Sequence, residues 1–473
     1  MGIAWLLLRR TFSARPKRTL LFLLGYALTT AVMITLLSVG HAVLEQARDK
    51  DLLGGGDLIL VPQGIDVESM KVGGITALYY SIPQARFIVR QILHSSRFKG
   101  QITEVSPLQV AKVIYACKND LCAQPEPVTV YGSLPDPEQR MKRTTFGWKN
   151  TPGDNSWENP SASVFYPEID HFHLPSPKTK NLDRWAEWHY FNFESPDFYG
   201  YLSLMAAGDP TGSDSRWILS LQLFENNGYH HYATKSPLNI EGLPLTQIHY
   251  RISTNTVDFV QDHYEIGLSF TDKIPISGKL KFYPAPGLYL PPTYLAKSEG
   301  FESGYAIPAI RGRYEGSIQI GDKRLDFDNL TGYHDHNWGI WQAIHWNWGH
   351  AFSDRHSIFF GEIYLSEKSK GVFAGIYDDQ GFLTVIRPEK LNFSDYKDEE
   401  GYRVPMHLSF SGQKNFAAIQ LDGRARSFVA TRTEDNTYFI QYKMDYRITL
   451  GIDGKQETFA ATGNAETYVP SLR

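Results

Sequence analysis

The sequence predicts a mainly β protein, with two antiparallel β units in tandem behind one membrane-spanning helix. Aromatic residues are frequent (27 Phe, 27 Tyr and 10 Trp), which favours strands, while 39 Gly and 26 Pro favour turns. After residue 164, short runs alternate apolar and polar side chains, as in residues 217–224 and 438–446. Roughly 310 residues exceed one ordinary barrel, so we expect two β units.

Residues 19–40 contain no charged side chain and are long enough for one transmembrane helix. At about 1.5 Å per residue such a helix measures roughly 33 Å, which crosses a bilayer core. A cluster of positive charges precedes it: Arg9, Arg10, Arg15, Lys17 and Arg18. By the positive-inside rule these charges place the N-terminus in the cytoplasm.

We therefore expect a cytoplasmic flank at residues 1–18 and a transmembrane helix at residues 19–41. The chain would be a single-pass protein of the inner (cytoplasmic) membrane, with its bulk periplasmic or extracytoplasmic. The alternative is a cleaved signal peptide, whose apolar core is shorter, about 7–15 residues.

The net charge of −4 and the lack of a basic run after this helix argue against a nucleic-acid partner. The only cysteines, Cys117 and Cys122, lie close together in the sequence. In an oxidising compartment they could close a small disulfide loop, whereas two cysteines are weak evidence for zinc, which normally takes four ligands.

Residues 54–64 combine a glycine-rich turn, a short apolar strand and a second turn. With the basic flank and the first helix, this stretch resembles the start of FtsX/MacB-like ABC-transporter permeases over about residues 1–135. The resemblance implies a small α/β extracytoplasmic segment at residues 42–140, helical at 75–95 and partly strand at 105–130. The later membrane helices of that family are absent, so we expect a tether and spacer, followed by a linker at residues 141–162.

The densest chemical motif is residues 332–339, Gly-Tyr-His-Asp-His-Asn-Trp-Gly. A strand sends alternate side chains to opposite faces, so Tyr333, Asp335 and Asn337 should share one face. The other face should carry the remaining members of the motif: His334, His336 and Trp338. Aromatic and imidazole side chains continue after it: Trp341, His345, Trp346, Trp348 and His350.

Two motifs together suggest a family. The first is Tyr-Pro-Glu-Ile-Asp-His at residues 166–171, followed by Trp-Ala-Glu-Trp-His-Tyr-Phe at 185–191. The second is residues 332–339 with Trp341. Over about residues 163–473 the chain resembles the CrtC/AttH-like family, which includes carotenoid 1,2-hydratases (hydroxyneurosporene synthases). Members resemble tandem lipocalins, so the resemblance implies lipocalin-like antiparallel β-barrels at residues 163–330 and 331–473.

Hydration of an isolated alkene needs a carboxylic acid that protonates carbon, and aromatic faces that stabilise the resulting cation. Asp335, Tyr333 and His334 are the predicted catalytic residues. The predicted ligand-binding residues are Trp188, His336, Asn337, Trp338, Trp341, Trp346 and Trp348. The alternative is a buried polar cluster that only holds loops together by hydrogen bonds.

Metal ligation by His334 and His336, completed by His345 or His350, is the weaker interpretation, so we expect neither metal nor cofactor. The His171 and His173 pair is expected on a loop. The expected partner is an apolar small molecule, a terpenoid or lipid, that is hydrated, isomerised or cyclised. The rival functions are a carrier working with ABC-transporter components and a scaffold whose barrels are filled by side chains.

Overall fold

The structure is a computed structural model of the 473-residue chain. Beyond residues 2, 5, 12, 58, 60 and 80, it describes these ranges: 16–52, 81–94, 97–98, 100–116, 126–142, 149–225, 228–238, 242–271, 273–298, 301–341, 344–366, 369–399, 401–432 and 437–470. Cys117, Cys122 and the expected strand at residues 54–64, apart from Leu58 and Leu60, lie outside the described residues. The chain divides into two compact units, residues 1–80 with 106–154 and residues 81–105 with 155–473.

The first unit contains one long apolar helix, Pro16–Leu52. Its segment Pro16–Ala42 is long and apolar enough to cross a membrane, as either an anchor or a signal sequence would be. Two hydroxyl groups in it, those of Thr29 and Thr35, donate to the backbone carbonyls of Gly25 and Ala31 at 2.8 and 2.9 Å. These hydrogen bonds within the helix satisfy two hydroxyl groups that apolar surroundings could not satisfy.

Where the structure describes the rest of the first unit, it forms a hairpin and two short helices. Strands β1 (Leu108–Ala116) and β2 (Glu126–Ser133) pair in antiparallel orientation. Helices Pro135–Lys142 and Pro152–Asn155 follow, the second inside the expected linker.

The second unit holds the two large antiparallel sheets and the remaining helices, Ile82–His94 and Ala162–Asp170. The first sheet has twelve strands: β3 (Trp185–Glu194), β4 (Phe198–Ala207), β5 (Arg216–Glu225), β6 (Gly228–Pro237), β7 (His249–Ile252), β8 (Asn255–Val260), β9 (His263–Phe270), β10 (Ile276–Pro284), β11 (Leu290–Ser298), β12 (Phe301–Ile320), β13 (Lys323–Asp326) and β14 (Thr331–Ile340). The second has nine: β15 (His345–Phe352), β16 (Ser357–Ser366), β17 (Ser369–Asp378), β18 (Gly381–Ile386), β19 (Asn392–Glu399), β20 (Tyr402–Lys414), β21 (Ala417–Arg432), β22 (Thr437–Ile452) and β23 (Lys455–Pro470).

The first sheet nearly closes into a barrel. Its main strand order is β6-β5-β4-β3-β14-β12-β10-β9-β8-β7, with β11 and β13 paired to β12, and its outer strands β6 and β7 contact each other. Its interior holds alternate apolar side chains, such as Leu204, Leu221 and Ile318, all at 0% exposure. Helix Ala162–Asp170 adds Phe165 and Ile169 to this core, so it plugs the interior of the sheet.

The second sheet runs β18-β17-β16-β15-β23-β22-β21-β20-β19 around its own apolar core. The predicted fold class is therefore confirmed: a mainly β chain with two antiparallel sheets and an N-terminal apolar helix. The expected border at residue 330 differs from the division between the sheets. Strand β14 pairs with β3 and β12, so the first sheet continues to Ile340 and the second begins at His345.

Candidate functional site

Strand β14 separates the motif into two chemical environments. Its register with β3 pairs Asp335 with Tyr190 and His336 with His189. Because directly opposed residues of paired strands share a face, the carboxyl group of Asp335 lies beside Tyr190 while His336 lies beside His189 on the other side. The expected alternation of faces is therefore observed.

The Asp335 face borders a cavity of about 1160 Å³ between the two sheets. The first sheet supplies Trp188, Tyr190 and Tyr305 to its wall, and the second supplies Trp346, Trp348 and Tyr468. Its lining also includes Trp341 and Asn337, together with the polar loop after β4. We call this cavity the aromatic pocket. It offers large apolar surfaces with a small number of polar groups, as small-molecule sites commonly do.

Asp335 forms a hydrogen-bonded group with two tyrosines at the wall of the pocket. The hydroxyl groups of Tyr333 and Tyr305 donate to its Oδ2 at 3.0 and 3.3 Å, and lie 2.9 Å from each other. The indole Nε1 of Trp348 donates to the Tyr305 hydroxyl at 3.2 Å. Tyr333 is fully buried behind the carboxyl group, so it supports Asp335 without lining the pocket itself.

The carboxyl group of Asp335 is only 5% exposed. Burial raises its pKa well above the usual value and the nearby Glu466 raises it further, while the hydrogen bonds from Tyr333 and Tyr305 oppose the rise. A carboxyl group that resists ionisation in this way can donate a proton at neutral pH.

Glu466 is a second pocket acid that the sequence analysis missed. It lies on β23 opposite Trp348 and Gln441, and the indole of Trp346 donates to its Oε1 at 2.9 Å. Burial raises the pKa of Glu466 to about 7. The alternation of side chains along a strand could assign Glu466 to one face of β23. No local sequence pattern, however, predicts that β23 pairs with β15.

The opposite face of β14 carries what we call the histidine–carboxylate cluster: Asp170, His173, Glu187, His189, His334 and His336. Asp170 comes from the end of helix Ala162–Asp170, whereas Glu187 and His189 come from β3. His173 lies on a loop, as expected, and its ring stacks on that of Trp338 with centroids 3.8 Å apart, so this loop packs against the sheet. Exposure of Asp170, Glu187, His334 and His336 is 0%.

The aromatic pocket therefore brings together only some of the predicted site residues. His334, His336 and Trp338 do not line the aromatic pocket, because the period of a strand turns them away from Asp335. The histidine set considered as the weaker, metal-binding alternative is also not assembled. His350 stacks on Tyr333 at 4.7 Å, and His345 lies near Tyr468, so neither joins His334 and His336.

No protein-family model and no curated protein matches this sequence. Several solved structures are similar in fold. An AttH protein from Nitrosomonas europaea shows 14% identity and a TM-score of 0.43, over 65% of this chain and 99% of that one. CghA in complex with Sch210972 shows 14% identity and a TM-score of 0.45, over 64% and 95%. Kievitone hydratase from Nectria haematococca shows 13% identity and a TM-score of 0.43, over 64% and 94%.

Similarity at this level concerns the fold and says nothing about the reaction of this chain. None of these comparisons supports the resemblance of the N-terminal region to FtsX/MacB-like permeases.

Proposed function

We propose that this protein binds a largely apolar small molecule, a terpenoid or lipid, in the aromatic pocket and that Asp335 acts on it as a general acid. The observation that carries the proposal is the position of the Asp335 carboxyl group, held by Tyr333 and Tyr305 at the wall of an aromatic cavity. Hydration, isomerisation and cyclisation of an alkene all begin with such a proton transfer.

The size and lining of the pocket support an apolar ligand. At about 1160 Å³ the cavity slightly exceeds the common range for small-molecule sites, roughly 300–1000 Å³. Indole rings from both sheets meet across it, with Trp188 and Trp341 at 5.1 Å and Trp188 and Trp346 at 6.3 Å between ring centroids. Such faces favour apolar surface and also attract positive charge.

The arrangement supports a short acid–base sequence. Asp335 transfers its proton to one alkene carbon, which leaves a cation on the neighbouring carbon and a carboxylate held by two tyrosine hydroxyl groups. Water then adds to the cation and loses a proton, or the cation loses a proton directly. Alternatively a second alkene closes a ring on the cation, and the new cation formed in this way loses a proton. Glu466, with its pKa near 7, can accept the released proton, and Asp335 recovers one from solvent.

A carrier without turnover is the second candidate, and the apolar helix Pro16–Ala42 favours it. A chain anchored in the inner membrane by this helix could collect a lipophilic molecule from the bilayer and pass it to ABC-transporter components. This function uses the same pocket but needs no proton transfer from Asp335.

Mass spectrometry of small molecules that co-purify with the detergent-extracted full chain tests both candidates. The recovered compound is then incubated with the wild-type protein, with Asp335→Asn, and with the exposed control Asp395→Asn on β19. Conversion by the wild type and the control, with retained binding but no conversion by Asp335→Asn, supports the acid role. Conversion by Asp335→Asn at the wild-type rate removes Asp335 from the reaction.

Capture of an apolar compound that none of the three proteins converts contradicts the acid role and supports the carrier. If no apolar compound co-purifies and the neutral probe N-phenyl-1-naphthylamine does not bind, the pocket function itself is wrong. The Asp335→Asn substitution keeps the shape of the side chain and an oxygen that both tyrosines can reach. We therefore expect the variant to fold.

A further inference from the structure

Three polar atoms in the histidine–carboxylate cluster converge on one point. They belong to Asp170, His189 and His336, each of which offers one ligand atom within 4.8 Å of those of the other two. Oδ1 of Asp170 is 3.2 Å from Nδ1 of His189 and 3.0 Å from Nδ1 of His336. Two ligands about 2.0–2.1 Å from a shared ion stand roughly 3.0–3.4 Å apart at right-angled to tetrahedral geometry, so these spacings suit coordination.

Asp170 and His336 are close enough to interact, but the direction of their contact is poor for a hydrogen bond. Among the described residues, Oδ1 of Asp170 and Nδ1 of His336 have no hydrogen-bond partner of acceptable geometry, although both are buried. A buried polar atom without a partner is unfavourable by about 1–3 kcal/mol, so native structures rarely keep such atoms unsatisfied. Oδ1 of Asp170 and Nδ1 of His336 are two such atoms, and they lie 3.0 Å apart.

In each of the three residues, the second polar atom of the side chain has a hydrogen-bond partner of its own. Nε2 of His336 lies 2.8 Å from Oε1 of Glu187, and Nε2 of His189 lies 2.6 Å from the Tyr250 hydroxyl. Oδ2 of Asp170 accepts hydrogen bonds from Tyr264 at 2.8 Å and from His334 at 3.0 Å. Metal-binding histidines usually have their second nitrogen fixed by a carboxylate, carbonyl or hydroxyl in this way, which leaves the first nitrogen free to coordinate.

The electrostatics of the cluster agree with this arrangement. His189 and His336 are both buried in this cluster. Two carboxyl groups, Asp170 and Glu187, are fully buried beside them. A carboxylate in this interior needs a balancing positive charge, which a divalent cation beside Asp170 would supply.

We propose that Asp170, His189 and His336 bind one divalent transition-metal ion such as Zn²⁺, which fastens helix Ala162–Asp170 to strands β3 and β14. Two imidazoles and one carboxylate are a ligand set that such ions accept. The rings of His189 and His336 stack with their centroids 3.8 Å apart and 27° between their planes. In this arrangement the ring edges that carry Nδ1 can both face one ion. All three side chains are buried, so the ion enters during folding and has a structural role.

A second convergent group, His173, Glu187 and His336, is the weaker candidate in the same cluster. Both oxygens of Glu187 already accept the backbone N–H of His173, at 2.8 and 3.0 Å. Glu187 therefore orients the His336 ring through Nε2. The proposed ion lies at Nδ1 of the same ring, next to Asp170.

The test is the metal content of the full chain, produced in medium supplemented with zinc and purified in detergent without chelator. Inductively coupled plasma mass spectrometry should find about one ion per chain in the wild type, and Asp170→Asn and His336→Gln should each reduce this at least about tenfold. The matched control is His263→Gln, which changes a buried histidine that also faces two carboxylates, Asp262 and Glu265, elsewhere in the first sheet. We expect the control to retain the ion.

Production with cobalt gives a second readout that does not depend on a variant. A Co²⁺ ion held by two imidazoles and a carboxylate should give visible ligand-field absorption in the folded wild type, and unfolding in the presence of a chelator should abolish it. Wild-type protein that contains no stoichiometric zinc or cobalt overturns the proposal. So does full retention by folded Asp170→Asn and His336→Gln, with folding checked by near-ultraviolet circular dichroism.

Discussion

Asp335 and His336 are adjacent in the sequence, yet their side chains lie in two separate buried environments on opposite faces of strand β14. Asp335 borders the aromatic pocket, whereas His336 contacts Asp170 and Glu187 inside the first sheet. The same ten-residue strand therefore contributes to a ligand cavity and to the packing of a helix against the sheet. Substitutions at these two neighbours should have different consequences, one for chemistry and the other for assembly of the fold.

Glu466→Gln should make stability less dependent on pH. The pKa of Glu466 is about 7 in the folded chain against 4.5 when unperturbed. A carboxyl group with a raised folded-state pKa contributes stability that is fully present below pH 4.5 and is lost as the pH rises through 7. Between pH 4 and pH 8 the free energy of unfolding, measured with denaturant, should therefore fall by about 3 kcal/mol more in the wild type than in Glu466→Gln.

Glu389→Gln is the control for this prediction, since Glu389 is exposed on the loop before β19. Its pH dependence should follow that of the wild type. Equal pH slopes for all three proteins would show that Glu466 ionises normally in the folded chain.

Trp188→Leu should weaken binding of apolar probes to the aromatic pocket. The Trp188 ring contacts Trp341 and Trp346 across the cavity, so its loss removes apolar and aromatic contact area. We expect about tenfold weaker binding of N-phenyl-1-naphthylamine, corresponding to roughly 1–2 kcal/mol. Fluorescence titration measures it, with Tyr396→Leu on the exposed surface of β19 as a control that should bind like the wild type. Unchanged affinity in Trp188→Leu would place the probe elsewhere.

Gly304→Ala should destabilise the first sheet, because a Cβ atom at this position would lie 2.0 Å from the Trp338 indole. Trp338 would have to leave its stack on His173, and we expect a loss of about 1–3 kcal/mol in the free energy of unfolding. Gly371→Ala on β17 is the matched control, since nothing lies within 4 Å of its added Cβ atom and its effect should stay within about 0.5 kcal/mol. Equal unfolding midpoints for the two variants would contradict this packing.

Lys443 on β22 and Glu194 on β3 form an ion pair that joins the two sheets. Burial lowers the pKa of Lys443 and Glu194 opposes this, so removal of the acid leaves a buried amine without its partner. Glu194→Gln alone should therefore cost about 3–5 kcal/mol, and the double substitution Glu194→Gln with Lys443→Met should recover much of that loss. A double-mutant cycle by chemical denaturation measures the coupling, and simple additivity of the two changes would rule out the ion pair.

Much of the fold could be predicted from local patterns. The uncharged run at residues 19–40 lies within the helix Pro16–Leu52, and the alternating runs near residues 217–224 and 438–446 lie within β5 and β22. The two faces of β14 could also be assigned, since the direction of each Cβ atom depends only on the extended backbone. These features need nothing beyond neighbours in the chain.

The composition of each buried environment could not be predicted in this way. Glu466 reaches the aromatic pocket from a strand 131 positions after Asp335 in the sequence, and Asp170 reaches His336 from a helix 166 positions before it. The alternation of side chains along a strand places Glu187 and His189 on one face of β3, but it does not predict that β3 pairs with β14. Nearness in the sequence favours His345 and His350 as partners of His334 and His336, whereas the fold places these two residues beside Tyr468 and Tyr333.

The sequence by itself determined the apolar helix, the β character of the long C-terminal region and the division of the motif into an acid face and an imidazole face. Only the tertiary structure decided that the acid face would meet a second sheet across a cavity and that the imidazole face would meet a carboxylate from a helix. The reason is physical. Backbone geometry acts between chain neighbours and is readable residue by residue, whereas apolar burial is non-directional, so the choice of distant partners emerges only when the whole chain packs.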